Sequence, residues 1–398
     1  MAGAASPGEL TAGPRCPPAH SARSDAPAPS RARDDCRLAE PRDEPAIARL
    51  LRESPFDGAI RLSFECEPDA LAATAIYGSV RQTIVAERAG RIVAMATRSE
   101  RDVFVNGVAR RIGYLCQFRV ARGVMPGRGL LERGFEFCRT LHEDGGVPAY
   151  LVSIVEDNRP ARRLLTSGRI RGAPVMVPVA PFVTFAIPAY RTAASRGVPS
   201  RIERGRPDLA GEIAACLHRC GRRHQFAPVW TAEDLGSPLR TPGLRIEDFL
   251  VLRENGRVTA CVARWDQRAY RQTVARGYAP WLSRVRSVAN LAARAGWTPH
   301  LPAPGASLPF AYLSHVAFEG DADGLMVLIE RALAEARKDG LDFLVLGAAA
   351  HGSLAHAVAA RFRHRRYVSR LNLAHWSDGE AFAGQLDDRI AAPELAVL

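Results

Sequence analysis

The sequence is almost without lysine and carries no local signature of a common catalytic site. Lys338 is its only lysine, so 53 of the 54 basic side chains are arginines. No GxSxG, HExxH or P-loop motif occurs, which argues against the enzyme classes that those motifs mark. No run of about 18 apolar residues occurs either, so we expect no membrane span.

Cysteines are few and stand apart from one another. The chain has eight, with no CxxC pair, which is typical of reduced thiols in a cytoplasmic protein. Cys216, Cys220 and His224 follow at helical spacing, which allows either a metal site or core packing. The apolar stripe of Ile213 and Leu217 on the same helix favours packing, and we predict no metal.

Length and composition are those of a globular protein. With 398 residues, 47% of them hydrophobic and 24% charged, the chain suits about two domains. Its net charge of +12 indicates either a solvated arginine-rich surface or an anionic partner such as a phosphorylated cofactor or a nucleic acid. Charge alone does not choose between them.

The two ends of the chain are predicted to be tails. Residues 1–36 are rich in Ala, Pro, Ser, Gly and Arg without apolar periodicity, which predicts a disordered tail. The N-terminal stretch lacks the apolar core of a signal peptide and carries acidic residues, which argues against a transit peptide. We therefore expect a cytoplasmic protein, with a short C-terminal tail at 377–398.

The chain contains a diverged internal duplication. IVAERAGRIVA at 84–94 matches LVLRENGRVTA at 250–260, an offset of 166 residues. YLCQFRV at 114–120 matches YLSHVAF at 312–318, an offset of 198 residues. Two blocks in the same order indicate two copies of one unit.

The difference between the offsets places an insertion in the second copy, at 265–311. We predict a first domain at 37–192 and a second at 200–376, each an α/β unit with a mixed sheet. The elements expected are a helix at 44–53, a hairpin turn at Ala89-Gly90 or Asn255-Gly256, a long strand (109–120; 311–318), a helix (129–142; 325–338), a strand (148–155; 341–347), a short helix (159–167; 353–361) and a closing hairpin-like pair, at 173–179 and 182–188 in the first copy.

The segment 118–133 has the character of a phosphate-binding loop. An apolar strand runs into a glycine-containing loop, and a helix with unpaired N–H groups and a positive dipole end follows. Glycines allow close approach of a phosphate, and arginines suit its oxygens; a simple tight connection is the alternative. The candidate cofactor-binding residues are Phe118, Arg119, Val120, Arg122, Gly123, Gly127, Arg128, Gly129 and Leu130.

Together with the strand and short helix that follow, this loop resembles the GNAT acetyltransferase superfamily. Asn158, Ala161 and Leu164 match the family's Asn-x-x-Ala-x-x-Leu motif. The family's Arg/Gln-x-x-Gly-x-Gly/Ala loop is matched in Gly127 and Gly129 but not in its leading residue. The family's Tyr, which often protonates the departing CoA thiolate, is replaced by leucine.

The resemblance covers residues 37 to about 190 as one unit and 200–376 as a degenerate second one. It implies two tandem GNAT-like lobes and an N-acetyltransferase that moves an acetyl or other short acyl group from acetyl-CoA to an amine by direct attack. The loop residues and Asn158 would bind acetyl-CoA. A main-chain N–H near Phe118 to Val120 would polarise the acyl carbonyl.

The residue that handles the proton is not identified by the sequence. Tyr114 and Cys116 are the candidate catalytic residues, because strand alternation puts them on one face with Phe118 and Val120. Packing against a helix is the alternative for both.

The acceptor and other partners stay open. Glu65 and Glu67 either line the acceptor pocket or form an exposed acidic pair. The resemblance favours a small-molecule or peptide amine rather than a nucleic acid, and an oligomer is possible. The alternatives are a non-catalytic acyl-CoA-binding or scaffold protein, and an aminoacyl-tRNA-dependent transferase.

The second copy lacks a phosphate cradle. Leu325 and Val327 replace the two loop glycines, and EGDADG at 319–324 puts three negative charges where a diphosphate would lie. We predict a structural or substrate-shaping lobe. Its insertion contains WLSRVRSVANLAARAGW, a basic helix-like stretch that would cap the acceptor cleft, touch a membrane, form a dimer contact or simply pack on its own domain.

Overall fold

The computed structural model describes residues 35–124, 128–143, 146–190, 202–295 and 297–398. Apart from its last two residues, the predicted tail at 1–36 lies outside the described residues.

The first half of the chain supplies seven strands and three helices within the described residues. These are β1 (Asp35–Leu38), α1 (Glu44–Glu53), β2 (Ile60–Glu65), β3 (Val80–Arg88), β4 (Arg91–Val105), β5 (Val108–Val120), α2 (Arg128–Glu143), β6 (Tyr150–Val155), α3 (Arg159–Leu165) and β7 (Val175–Pro188).

The second half repeats that order with additions. Its elements are β8 (Ile202–Arg204), α4 (Ala210–Gly221), β9 (Phe249–Glu254), β10 (Arg257–Trp265), β11 (Gln272–Tyr278), α5 (Pro280–Arg294), β12 (Phe310–Phe318), α6 (Asp323–Lys338), β13 (Phe343–Ala349), α7 (Ser353–Arg361), β14 (Arg365–His375) and α8 (Glu380–Gly384). β11 and α5 lie in the predicted insertion.

Local sequence accounts for the elements that open each half. Helix α1 buries Ile47, Leu50 and Leu51, as its periodicity predicts, and leaves Arg49, Arg52 and Glu53 exposed. Both predicted hairpin turns are confirmed. Ala89-Gly90 has φ values of 50° and 75°, and Asn255-Gly256 has 51° and 78°, the left-handed pair that a tight two-residue hairpin requires.

One twelve-stranded sheet runs through both halves, in the order β1-β3-β4-β5-β6-β14-β7-β13-β12-β10-β9-β8. The last strand of each half is exchanged. β14 lies between β6 and β7 and is antiparallel to both, and β7 pairs with β13. The sheet therefore crosses the boundary predicted near 192–200, although the connection at 191–201 lies outside the described residues.

The hairpin-like pair predicted at 173–179 and 182–188 is wrong. β7 is a single strand whose partner in the second half, β14, pairs from Val175↔His375 to Ala186↔Arg365. A register shift skips Val179, between Pro178 and Ala180. A bulge of this kind accommodates prolines within a strand, so the two prolines near 180 bend the strand rather than end it.

The stretch at 377–398, predicted as a tail, packs into the protein. Ala391, Ala396 and Val397 are buried in the same core cluster as residues of both halves. Gln267 and Arg271 donate hydrogen bonds to the Ala396 carbonyl at 2.9 and 2.8 Å. This segment therefore lies against the place where the halves meet.

The closest approach of β5 to β6 gives a test of the fold. A Cβ on Gly113 would lie 2.0 Å from the ring of Tyr150, which is fully buried and accepts a hydrogen bond from Arg98 Nε at 2.8 Å. We expect Gly113→Ala to lower the free energy of unfolding by about 2 kcal/mol or more, as overpacking does. Urea unfolding followed by circular dichroism measures this.

Gly134→Ala is the matched control. Gly134 lies within α2, where an added Cβ meets nothing within 4 Å, so the change should stabilise the protein by up to about 1 kcal/mol. If Gly113→Ala were equally harmless, the tight contact of β5 with Tyr150 would be wrong.

Candidate functional site

A bulge in the middle of β5 opens the sheet. Met95 pairs with Arg119 but Thr97 pairs with Cys116, so Gln117 and Phe118 together face one residue of β4. Gln117 has a φ of 52°. On its other side β5 is hydrogen bonded to β6 only at residues 113–115, so the remainder of β5 borders a gap in the sheet.

The same bulge recurs in the second half at the corresponding position. Cys261 pairs with Ala317 but Ala263 pairs with Ser314, and His315 has a φ of 51°. Gln117 and His315 differ by 198 residues, the offset of the duplication. β12 likewise pairs with β13 only at residues 310–312.

The bulge changes which side chains share a face. Val120 packs with Leu130 on the side covered by α2, whereas Tyr114 and Cys116 belong to the core on the opposite side. The expectation that Val120 shares their face is wrong, because one extra residue inverts the alternation of the strand. Arg119 is on the Cys116 side, where Tyr77, Cys66 and Cys116 act on its charge.

Arg119 adjoins the gap and holds a polar atom without a partner. Its Nη1 donates to the Phe118 carbonyl at 2.8 Å, and its guanidinium carbon lies 5.0 Å from the centre of the Phe56 ring. Its Nε is buried with no hydrogen-bond partner among the described residues. Burial lowers the pKa of Arg119. An anionic or carbonyl oxygen of a ligand would satisfy this donor.

The glycine-containing loop is described in part. Arg122 and Gly123 are exposed, and Gly123 has a φ of 78°. Gly127 lies outside the described residues, as does the side chain of Arg128, the residue at which α2 begins. Leu130 is buried under the sheet. A Cβ on Gly129 would meet only the end of the Arg133 side chain, at 3.3 Å.

Asn158 has a local structural role. Its Oδ1 accepts a hydrogen bond from the Ala161 N–H at 3.2 Å, which makes it the N-cap of α3. The motif residue thus fixes the start of the helix that follows β6.

Arginine, tyrosine and cysteine side chains from both halves meet beside the bulge, in a group that we name the interlobe cluster. The Tyr77 and Tyr114 ring centres are 6.0 Å apart, and the Arg101 and Arg271 guanidinium carbons lie 5.1 and 5.4 Å from the centres of the Tyr114 and Tyr77 rings, respectively. The cluster consists of Tyr77, Arg101, Tyr114, Cys116, Arg271 and Tyr312.

The C-terminal segment holds the two arginines of this cluster in place. Arg101 Nη2 donates to the Val397 carbonyl at 2.6 Å, and its Nε donates to the Tyr77 carbonyl at 2.8 Å. Arg271 Nη2 donates to the main-chain oxygen of Leu398 at 3.2 Å. Each guanidinium therefore ties a strand or loop of one half to the end of the chain.

Burial sets the protonation of the cluster. It raises the pKa of the Cys116 thiol to about 12 and the pKa of the Tyr114 phenol well above 10. It lowers the pKa of Arg101 to about 10. At neutral pH the thiol and the phenol therefore keep their protons and the arginine keeps its charge, so neither Tyr114 nor Cys116 is a base at rest.

Glu65 and Glu67 both form ion pairs with arginines of the chain. Glu65 ends β2, is buried, and accepts from Arg276 Nε of β11 at 2.8 Å. Glu67 accepts from Arg52 at 2.5 Å. The first pair links the two halves, since β2 and β11 form a separate two-stranded sheet.

In the second half the chain itself occupies the bulge. The His315 N–H donates to Glu394 Oε2 at 2.8 Å, so a carboxyl oxygen lies where the duplicated geometry presents a main-chain donor. Burial lowers the pKa of His315 to about 3 and raises the pKa of Glu394 to about 7. Leu325 is fully buried in α6 where the first loop has a glycine.

Helix α4 carries the cysteines that the sequence singles out. Cys216 and Cys220 are buried, and their sulfurs lie with a Glu319 oxygen within 4.8 Å of one another. Glu319 is paired with Arg219 at 2.7 Å and with Arg257 at 2.5 Å. His224 Nδ1 donates to the Cys220 carbonyl at 2.9 Å, so its ring is turned to the helix end.

The interlobe arginines were missed by sequence reasoning. Arg101 and Arg271 lack a spacing or motif that separates them from the other arginines of the chain. Tyr312 could have been predicted from the sequence, because it lies 198 residues after Tyr114, the offset of the duplication.

No protein-family model and no curated protein sequence matches the chain. Solved structures of Saccharomyces cerevisiae N-myristoyltransferase with bound myristoyl-CoA match it at TM-scores of 0.53 and 0.54, with 11% and 12% identity, over 88% of this chain and 81% and 85% of theirs. A GCN5-related N-acetyltransferase from Kribbella flavida matches at a TM-score of 0.42, too low to bear on the fold. The chain therefore shares the fold of these N-myristoyltransferases, and the expected mixed α/β fold class is confirmed.

None of the described helices is long and apolar enough to cross a membrane.

The raised pKa of Glu394 gives a test of the second bulge. Its pKa is about 7 in the folded protein against 4.5 ordinarily, so ionisation costs folding free energy, and wild type loses stability as pH rises from 4.5 to 7. Glu394→Gln keeps an acceptor for His315 but cannot ionise. We expect it to gain stability relative to wild type between pH 5 and 7.5, by up to about 3 kcal/mol.

Urea unfolding at both pH values measures this difference, with Glu233→Gln at the surface as the control. The contribution of His315 has the opposite slope and is common to both proteins. A variant that follows the wild-type pH dependence would show that Glu394 is not buried against this bulge.

Proposed function

We propose that the protein is an acyltransferase that moves an acyl group from acyl-CoA to an amine. The amine nitrogen attacks the thioester carbonyl carbon, the C–N bond forms, and the C–S bond breaks. The amine loses a proton, the CoA thiolate gains one, and the products are an amide and free CoA. No covalent enzyme intermediate is needed.

The bulge of the second half is the observation that carries this proposal. There, a main-chain N–H on a bulged strand holds a carboxyl oxygen, that of Glu394. Gln117 occupies the corresponding position of the first half, beside the gap between β5 and β6. A donor fixed there would bind the oxygen of a thioester and stabilise the charge that it gains during attack. We therefore propose the Gln117 N–H as the donor, rather than an N–H of Phe118–Val120.

The surroundings of the gap suit the rest of an acyl-CoA. The loop at 122–124 and the start of α2 lie at the end of β5, where N–H groups and a helix dipole favour a phosphate. Arg119 adds a buried donor, its Nε, that has no hydrogen-bond partner in the described part of the chain. The N-myristoyltransferases that share this fold were solved with myristoyl-CoA, which supports acyl-CoA as the donor without fixing its chain length.

Tyr114 and Cys116 are proposed as proton donors. Both keep their protons at neutral pH because their pKa values are raised by burial. Each is therefore suited to hydrogen-bond the departing thiolate, the role that the GNAT tyrosine serves. The amine's proton then leaves through water or through a group outside this pair.

Acyl-CoA binding tests the donor site. We expect isothermal titration to show micromolar binding of at least one member of a series from acetyl-CoA to myristoyl-CoA. Gly129→Glu puts a negative charge at the first turn of α2 and should weaken binding at least tenfold, since like charge opposes the diphosphate.

Gly134→Glu is the control, because it adds the same charge to the same helix at a position with open space. Equal weakening by both variants would place the diphosphate elsewhere. No binding by wild type would contradict the proposal and favour a tRNA-dependent transferase, which salt-sensitive tRNA binding would then identify.

Turnover tests the proton donors. We expect Tyr114→Phe or Cys116→Ala to lower kcat by about 10²-fold or more with little change in the KM for acyl-CoA, as loss of general acid catalysis does. CoA release with a panel of small amines and peptides measures it. Cys138→Ala removes another buried thiol with a raised pKa, on α2, and should leave kcat unchanged.

If both substitutions leave kcat unchanged, water protonates the thiolate and the two residues only pack. Binding of acyl-CoA without turnover over the whole panel would instead support a non-catalytic acyl-CoA-binding protein.

A further inference from the structure

Helix α5 faces the solvent with its apolar side. Four of its large apolar side chains are exposed, and the tryptophan that follows the helix is exposed as well. The exposed fractions are 61% for Trp281, 46% for Val285, 71% for Val288, 65% for Leu291 and 69% for Trp297. Spacings of 4, 3 and 3 residues put the four helical positions on one face. We name them the α5 face.

The opposite side of α5 is held by polar contacts. Asn290 Nδ2 donates to the Leu301 carbonyl at 3.0 Å, and the Leu301 N–H donates back to Asn290 Oδ1 at 2.8 Å. Arg286 Nη1 donates to the Pro302 carbonyl at 3.2 Å. A helix on the surface of a globular protein normally buries its apolar stripe. This helix has the reverse orientation, so its apolar stripe is not used by the rest of the described chain.

The charged residues of helix α5 itself are of one sign. Its sequence, PWLSRVRSVANLAAR, contains three arginines and no aspartate or glutamate. Arg284 is exposed beside Trp281 and Val288 on the helix surface. On the packing side, Asp342 accepts from the His300 N–H at 3.1 Å and lines a small cavity with Asn290 and Ala293.

We propose that the α5 face binds the surface of an anionic lipid membrane. An apolar stripe bordered by arginine and lacking acidic groups matches a helix that lies in the interface, with its apolar side chains among the acyl chains and its cations at the headgroups. Tryptophan at the start of the helix suits that depth. The inference does not rest on the proposed function.

Flotation with vesicles tests the proposal on the full chain. We expect binding to phosphatidylcholine vesicles that contain 30% phosphatidylglycerol, weak binding to phosphatidylcholine alone, and a blue shift of tryptophan emission that Trp281→Phe reduces. The triple variant Val285→Ser, Val288→Ser, Leu291→Ser should bind at least tenfold more weakly, because it removes three apolar side chains that would be buried among the acyl chains. Arg284→Gln should weaken binding about fivefold.

Val108→Ser, Val175→Ser, Leu239→Ser is the matched control. These side chains have the same types and similar exposure, 52%, 60% and 70%, and lie outside α5. This variant should bind vesicles as wild type does. Circular dichroism checks that both variants fold.

Three results would overturn the proposal. They are no vesicle binding by wild type at low salt, equal loss in both triple variants, and dimerisation in sedimentation that only the α5 variant loses while vesicles are ignored. The last result would assign the α5 face to a second copy of the chain.

Discussion

The exchange of β7 and β14 is the constraint on which the molecule depends. The backbone N–H and C=O groups along the edge of a strand stay unpaired unless another strand covers that edge. Here the edge of β6 that faces away from β5 is paired with β14, the last strand of the other half. The same exchange covers β13 with β7. Because the two lobes share one sheet, their facing surfaces are fixed, and side chains such as Tyr77 and Arg271 meet between them. The C-terminal segment follows β14 directly and is carried to the same place, where Arg101 and Arg271 bind its carbonyls.

Within that shared sheet the two halves contain the same β-bulge but surround it with different groups. Gln117 and His315 hold the same left-handed conformation on corresponding strands, which is costly for residues other than glycine and persists where the surroundings impose it. In the second half, the bulge N–H is satisfied by Glu394, a side chain brought by the exchanged C-terminal end. In the first half the bulge borders Arg119, whose buried Nε has no hydrogen-bond partner within the ranges that the structure describes. The two bulges therefore differ because, after the duplication, the side chain of Glu394 came to occupy the bulge of the second half.

The local sequence pattern was sufficient to predict most helices and strands. It was insufficient where a strand pairs with a segment far away in the sequence. The periodicity of α1, the turn at Asn255-Gly256 and the repeated offset predicted the order of strands and helices. The hairpin predicted at 173–188 failed because two prolines indicate a turn locally, whereas the strand is held by β14 from the other half. The predicted strand face of Val120 was wrong because no residue type in the sequence indicates the bulge in β5. The shared offset of Tyr114 and Tyr312 carried information about the site, while Arg101 and Arg271 were lost among the other arginines.

The near absence of lysine has a structural counterpart in the interior. Arg98, 1% exposed, donates from three nitrogens to Tyr150, Gln82 and Glu100 at 2.8, 2.5 and 2.5 Å. A planar guanidinium can satisfy acceptors in several directions at once, whereas an ammonium on a flexible stem is strongly hydrated and resists burial. Arg101 and Arg271 link strands and chain end in the same way. These arginine charges therefore lie inside the protein, bound to oxygens of the chain. Acidic side chains such as Asp43, Glu65 and Glu100 are buried as well, so the distribution of arginine around particular sites is a better guide to partners than the net charge of +12.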